Sequence, residues 1–252
     1  IEYGKENELF IIIPSIEKET FDLSSTVHVQ STGGNKLWQF FRLKKIGKKL
    51  IKEKDIEEIT TQDSFFTGLI GYWLKKKSKK ILEVQIHGDF FSSKYYPFWK
   101  RILGRFIARR ADKIRAVGER VKSSLLKIGV PAEKIKTRAI AVEMEKIKNY
   151  EPKINLHQKY LGYEKIFLVL GRLDSVKNIL WLIEIFKEVI KRKNYLLLIV
   201  GRGEEEKNIR RNVINNNLDN NIKLQNWTED PYGYLKSADC VLFPSLSEGY
   251  GL

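Results

Sequence analysis

Apolar residues along this chain fall into short continuous runs, separated by longer segments with helical spacing. Runs at Leu9–Ile13, Val27–Val29, Ile56–Thr61, Ile81–Ile86, Ile114–Val117 and Thr137–Val142 predict the strands of a first sheet. Several of them lack polar alternation, as expected where both faces of a parallel sheet are covered. Between them, Leu37–Ile51, Phe66–Lys77 and Tyr96–Arg110 are basic and amphipathic, and predict helices. The segment Asn149–Leu161 is polar, contains Pro152 and reads as a linker. Alternation then resumes, with strands predicted at Ile166–Leu170, Tyr195–Val200, Leu224–Trp227 and Cys240–Phe243. The intervening helix, Ile179–Lys193, sets Ile179, Leu182, Ile183, Phe186, Val189 and Ile190 on one face and gathers its cations at the carboxyl end. The pattern implies an α/β protein of two parallel-sheet units, 1–149 and 161–252, joined by residues 150–160. Two such units leave a cleft, a preferred place for ligands.

At 252 residues the chain holds one large core or two ordinary ones. A hydrophobic content of 42% excludes a disordered chain. The single cysteine, Cys240, lies in an apolar run and has no internal partner, so a reducing compartment is expected. No run approaches the ~20 apolar residues of a membrane-spanning helix, and no secretory signal is visible. The chain begins at Ile1 rather than methionine and ends inside a glycine-rich motif, and is expected to be a piece of a longer protein. The net charge of +15 is uneven: residues 1–150 carry 31 Lys/Arg against 18 Asp/Glu, and residues 151–252 carry 15 against 13. This asymmetry points to an anionic partner of the first half, nucleic acid or membrane phospholipid, or to a composition bias that serves only solubility. Both readings stand at this point.

The candidate chemistry lies at the carboxyl ends of three strands, where open parallel sheets bind ligands. Ile166–Leu170 runs into Gly171-Arg172-Leu173-Asp174-Ser175-Val176-Lys177-Asn178. Arg172 and Lys177, five residues apart across a strand-to-helix turn, can converge above a helix N-terminus, one as a fork for phosphate oxygens and one as a point charge. On the pair alone, two solvated surface cations are the plainer reading. Gly201-Arg202-Gly203, after Tyr195–Val200, is a partial phosphate fingerprint or only a tight turn. Cys240–Phe243 runs into Pro244-Ser245-Leu246-Ser247-Glu248-Gly249-Tyr250-Gly251, where Glu248 is the only acidic side chain among the last twelve residues. Such a carboxylate accepts hydrogen bonds from sugar hydroxyls, and the flanking glycines let backbone N–H groups approach a ligand. A helix N-cap region would also account for each residue separately.

Taken in order, GRLDSVKN, LLLIVGRG, NWTED and SADCVLFPSLSEGYG resemble the C-terminal domain of the retaining glycosyltransferases of family 4. In the first half IEEITTQDSFFTG, LEVQIHGDF and ADKIRAVGERVKSSLLKIGVPAEKI resemble the acceptor-side domain of the same family. The resemblance implies the GT-B architecture, two Rossmann-like domains facing a cleft, both incomplete here. It implies a metal-independent, front-face transfer of a sugar from a UDP- or GDP-sugar to a hydroxyl of a glycan or lipid-linked acceptor. No cofactor is implied, the nucleotide-diphosphate sugar being a co-substrate. Arg172 and Lys177 would hold the donor diphosphate, Glu248 would bind the sugar hydroxyls or stand beside the anomeric carbon, and His87 would face the donor sugar from the other domain. Gly171, Gly203, Gly249, Tyr250 and Gly251 would line the nucleotide and phosphate.

There are departures from the family pattern. A second motif glutamate would fall four positions past Leu252. Ala139-Ile140-Ala141-Val142-Glu143 replaces the usual proline-asparagine-glycine-valine-aspartate, and Gly118 replaces a serine. The chain by itself is expected to lack activity. Tyr95, Tyr96, Phe98, Trp99, Ile102 and Phe106, set among Lys100, Arg101, Arg105, Arg109 and Arg110, either meet an anionic membrane through residues 95–110 or pack on the sheet. The family implies a cytoplasmic protein, peripheral on the inner face of the cytoplasmic membrane, with no nucleic-acid partner. Two other readings remain open: a GT-B relative acting on the nucleotide sugar itself, such as an epimerase, and a basic membrane- or nucleic-acid-binding protein without transferase activity.

Overall fold

A computed structural model describes residues 7–89, 91, 96–140 and 142–248. These form two compact units, one up to Ile140 and the other from Val142 to Glu248.

In the first unit the strands divide between two sheets rather than forming one. β1 (Leu9–Ile13) pairs in parallel with β3 (Val27–Ser31), and β2 (Thr20–Ser24) pairs antiparallel with β3. β2 was not legible as a strand: it is short, and its two alternating apolar residues, Phe21 and Leu23, are both exposed. The second sheet is wholly parallel, in the order β4 (Glu58–Thr61), β5 (Ile81–Ile86), β6 (Lys113–Ala116), β7 (Ile135–Thr137). β7 starts two residues before the expected run and ends where that run begins. Ile135 is its buried anchor, whereas Val142 of the expected run is exposed.

Three helices alternate with these strands: α1 (Lys36–Glu53), α2 (Phe66–Ser78) and α3 (Phe98–Arg110). All three match their sequence expectations within two residues at each end. A fourth, α4 (Glu119–Lys127), buries Val121 and Leu125 against the same core as Leu82, Val84, Ile86, Ile107 and Ile114.

The second unit is one parallel sheet in the order β10 (Ile222–Gln225), β9 (Tyr195–Val200), β8 (Lys165–Leu170), β11 (Cys240–Val241). The continuous apolar runs of β8 and β9 have a direct cause. Val169, Leu197 and Ile199 enter one core with α7 (Ile179–Ile190) and α8 (Glu206–Asn215). Ile166, Leu168, Leu196, Leu198 and Val200 enter a second core on the other face. With side chains alternating faces at a period of two, a strand covered on both sides must be apolar throughout.

The second core is closed by α6 (Leu156–Lys159) and α9 (Pro231–Ser237). Residues 142–160 therefore pack with the second unit, and the division falls before α5 (Met144–Lys148) rather than at residue 149. The attachment is specific. Asp230 accepts hydrogen bonds from the Tyr150 hydroxyl (2.6 Å), the Lys153 N–H (2.8 Å) and the Gly233 N–H (2.9 Å). The Lys236 ammonium donates to the carbonyls of Lys148 and Tyr150, and the Leu156 N–H donates to the Ser237 hydroxyl. Among the described residues no helix is long and apolar enough to cross a membrane.

Candidate functional site

The site in the second unit is built by three loops that leave the carboxyl ends of adjacent strands. After β8, Gly171 takes φ +155°, a conformation that glycine tolerates best, and the chain turns over Leu173, which is buried at 1% exposure. The Asp174 side chain caps the following 3-10 turn, Ser175–Lys177, by accepting from the Lys177 N–H. Asn178, in the left-handed region at φ +55°, then starts α7.

The loop after β9 lies against this turn, backbone to backbone. The Leu173 N–H donates to the Arg202 carbonyl, and the Glu205 N–H donates to the Leu173 carbonyl. A Cβ on Gly201 would stand 1.8 Å from the Gly171 carbonyl oxygen, and one on Gly203 would stand 2.2 Å from that of Leu173. Both glycines are therefore required by the approach of the two loops to each other. Gly203 had been read from sequence as a residue beside the nucleotide; the neighbour that the structure gives it is the backbone of Leu173.

The loop after β11 is tied to the first by two bonds. The Leu246 N–H donates to the Val176 carbonyl (2.9 Å), and the Asn178 side-chain amide donates to the Pro244 carbonyl (3.3 Å). They bring Glu248 to Lys177, whose ammonium lies 2.6 Å from the Glu248 carboxylate. Partial burial works against ionisation of Glu248. The hydrogen bond and charge of Lys177, with the charge of Arg172, outweigh it and hold the carboxyl below its ordinary range. Arg172 projects into solvent, its side chain 84% exposed, with Asp174 at 3.5 Å. A shallow cleft among Gly171, Arg172, Lys177, Phe243, Pro244 and Ser245 lies beneath these charges.

So Gly171, Arg172, Lys177 and Glu248 come together, as their strand-end positions implied. Gly249, Tyr250 and Gly251 lie outside the described residues. Sequence reasoning missed Asp174 and Asn178, which shape the turn, and Gly201, which lets the loops meet. The aspartate three residues before Lys177 was the available signal, being N-cap chemistry at N-cap spacing.

His87 belongs to the first unit and is described there alone. It follows the last residue of β5, and its ring nitrogen Nε2 lies 3.0 Å from Gln62, just beyond the end of β4. Burial, then the nearby charge of Arg115, pushes its pKa below the usual histidine value, which favours the neutral ring. Among the described residues no three His, Cys, Asp or Glu side chains cluster as metal ligands would.

Residues 153–252 match the family profile for glycosyl transferases group 1, and residues 8–144 match that for glycosyltransferase family 4. This chain belongs to the glycosyltransferases that these domains define. Its α/β architecture with parallel sheets is of the GT-B class. The glycosyltransferase is 25% identical over 245 residues to glycosyltransferase MJ1069 of Methanocaldococcus jannaschii, covering 91% of this chain and 60% of that one. It is 26% identical over 223 residues to the alpha-monoglucosyldiacylglycerol synthase of Streptococcus pneumoniae, covering 81% and 50%. Its fold is similar to that of HepE of Anabaena, solved in complex with UDP-glucose, with a TM-score of 0.74 at 13% identity over 92% of this chain and 72% of that one. The chain thus spans between half and three fifths of the length of these two relatives.

Proposed function

We propose that the protein transfers a sugar from a nucleotide-diphosphate sugar to a hydroxyl of a glycan or lipid-linked acceptor, with retention at the anomeric carbon. The observation that carries this reading is the pairing of Lys177 with Glu248, beside Arg172, at the carboxyl edge of the second sheet. One carboxylate and two cations on one set of strand-end loops suit a ligand that is half hydroxyls and half diphosphate.

In this reading Arg172 and Lys177 neutralise the donor diphosphate without a metal ion and stabilise the charge that grows on the leaving nucleotide. Lys177 exchanges the Glu248 carboxylate for a phosphate oxygen, and the released carboxylate accepts hydrogen bonds from the sugar hydroxyls. The acceptor oxygen attacks the anomeric carbon on the face that the diphosphate leaves. The carbon–oxygen bond to phosphate breaks, and the departing phosphate oxygen takes the acceptor's proton. His87, Gly203, Gly249, Tyr250 and Gly251 complete the donor site in this scheme. UDP-glucose bound to HepE favours UDP over GDP as the donor base. The name of the pneumococcal relative, a synthase of a glucosylated diacylglycerol, favours a lipid-linked acceptor. Such an acceptor would bring the protein to a membrane surface.

The test is nucleotide release from a panel of UDP- and GDP-sugars, with Arg172→Ala and Glu248→Gln as controls and the anomeric configuration of the product read by NMR. Release from one donor, lost in both variants and giving a retained product, is the expected result. A converted nucleotide sugar without nucleotide release would replace the transferase reading with the epimerase one.

A further inference from the structure

The three helices of the first unit carry an outward surface that the sheet does not need. On α3 the residues turned into the core are Gly104, Ile107 and Ala108, with Leu103 packed beside them. Phe98, Trp99, Ile102 and Phe106 lie on the other side, 74%, 60%, 51% and 37% exposed. Of the two readings left open by the sequence, packing on the sheet therefore fails for these four; Tyr96 does pack inward, and Tyr95 lies outside the described residues.

The same arrangement recurs on α1, which buries Leu43 and Gly47 and exposes Leu37, Trp38 and Phe41. α2 joins the two by aromatic contacts: Phe66 meets Phe40 of α1 with ring centroids 5.6 Å apart, and Tyr72 meets Phe106 of α3 at 5.3 Å. Each helix follows a strand, and Leu37, Trp38, Phe41, Phe66, Phe98 and Trp99 sit in the first turns of their helices, with Ile102 and Phe106 further along α3. Cations lie on all three helices, Lys36, Arg42, Lys100 and Arg101 among the aromatic residues and most of the rest beyond them. α1, α2 and α3 together carry fifteen Lys and Arg against one carboxylate, Glu53. Some of these cations already lie on rings, Arg110 over Phe106 at 3.7 Å and Lys44 over Trp73 at 4.1 Å.

We infer that α1 and α3 dock the protein on an anionic phospholipid surface, with Trp38, Phe41, Phe98 and Trp99 entering the interface and the lysines and arginines meeting headgroup phosphates. Exposed aromatic and aliphatic side chains together lose their hydration only in an apolar medium. A cation excess of this size accumulates on anionic lipid through the surface potential. Nucleic acid would satisfy the charge and offer stacking partners for the rings, but it leaves Leu37 and Ile102 in water. The inference stands on the first unit and does not depend on the donor site.

The experiment is sedimentation of the purified protein with vesicles of phosphatidylcholine alone and of phosphatidylcholine mixed with phosphatidylglycerol, at low and high salt. Binding is expected to be at least about tenfold tighter with the anionic lipid and to weaken as salt rises. Phe98→Ser with Trp99→Ser should lose about tenfold, while Phe98→Leu with Trp99→Phe should keep most of the binding. Lipids brominated in the acyl chain should quench tryptophan emission, and the quenching should disappear in Trp38→Phe with Trp99→Phe. Equal binding to both vesicle types overturns the proposal, as does quenching that stays undiminished in that variant and so comes from Trp73, Trp181 or Trp227. A single-stranded oligonucleotide that binds more tightly than the vesicles, insensitive to the aromatic substitutions, would identify the surface as a nucleic-acid site instead. Unchanged melting temperatures of the variants show that any loss is local, since every substituted residue is exposed.

Discussion

The Lys177 ammonium and the Glu248 carboxylate, seventy-one positions apart in sequence, lie 2.6 Å from each other with side chains only 20% and 32% exposed. A cation that already has an anionic partner must give it up to hold a phosphate. The two roles assigned to this pair are therefore in competition until a sugar diphosphate supplies both a phosphate for the lysine and hydroxyls for the carboxylate.

Glu248→Gln separates those roles. Removing the competing charge should tighten binding of UDP alone, while transfer falls about a hundredfold or more for want of a sugar-binding carboxylate. Calorimetry with UDP beside nucleotide-release kinetics checks both. Lys177→Met should weaken UDP binding and transfer together, and the double variant should show coupling of about 1–2 kcal/mol rather than additive losses.

Gly201→Ala is expected to unfold the second unit more readily, by about 3 kcal/mol, because its Cβ would overlap the Gly171 carbonyl oxygen and backbone cannot step aside as a side chain can. Thermal melting measures the shift. Gly118→Ala is the control, since nothing lies within 4 Å of the Cβ it would add.

Asp230→Ala should destabilise by about 3 kcal/mol, through loss of a nearly buried carboxylate that accepts three hydrogen bonds, and Tyr150→Phe by less. Burial of Asp230 opposes ionisation, but the bonds from Tyr150, Gly233 and Lys153 win, so its folded pKa lies below 3.8. A depressed carboxylate stabilises the fold above its unfolded value. The stability difference between the protein and Asp230→Asn should thus be full above about pH 4 and vanish as pH falls through the lower, folded pKa. Denaturant titrations across that window read it.

His87 should titrate below 6.5 when followed by NMR of its ring protons. Arg115→Met should move it only part of the way back, because burial is the larger cause and stays in place.

The order of β-strands and helices was legible because two-sided burial writes itself as an unbroken apolar run, as in Tyr195–Val200, and burial of Leu82, Val84 and Ile86 as alternation in Ile81–Ile86; the structure reproduces the bounds of both. β2 was invisible because it buries nothing. β10 lies two residues before its expected place: Ile222 is the buried residue, and Trp227, taken as part of the strand, is half exposed beyond its end. Arg172, Lys177 and Glu248 were legible as chemistry, since cations and a carboxylate at strand ends stand out from apolar surroundings. What holds them was not. The amide of Asn178 and the N–H of Leu246 act through backbone carbonyls, and a carbonyl is present at every residue, so no side-chain pattern announces it. The split of α3 into a small-residue inner face and an aromatic outer one likewise needed the sheet's position to be known.

The alternation of β8 between two cores works as a ruler. A slip of one position against β9 would turn Phe167 and Leu168 to the wrong sides, so only slips of two preserve burial. Such a slip would slide the strand about 6–7 Å and set Val169 or Leu173 in the place of Gly171, whose φ of +155° a residue with a side chain rarely adopts. Two errors of different kind are thus rejected by two different devices, one by water and one by backbone conformation. The distance from the sheet's centre to the guanidinium of Arg172 is gauged before any ligand arrives.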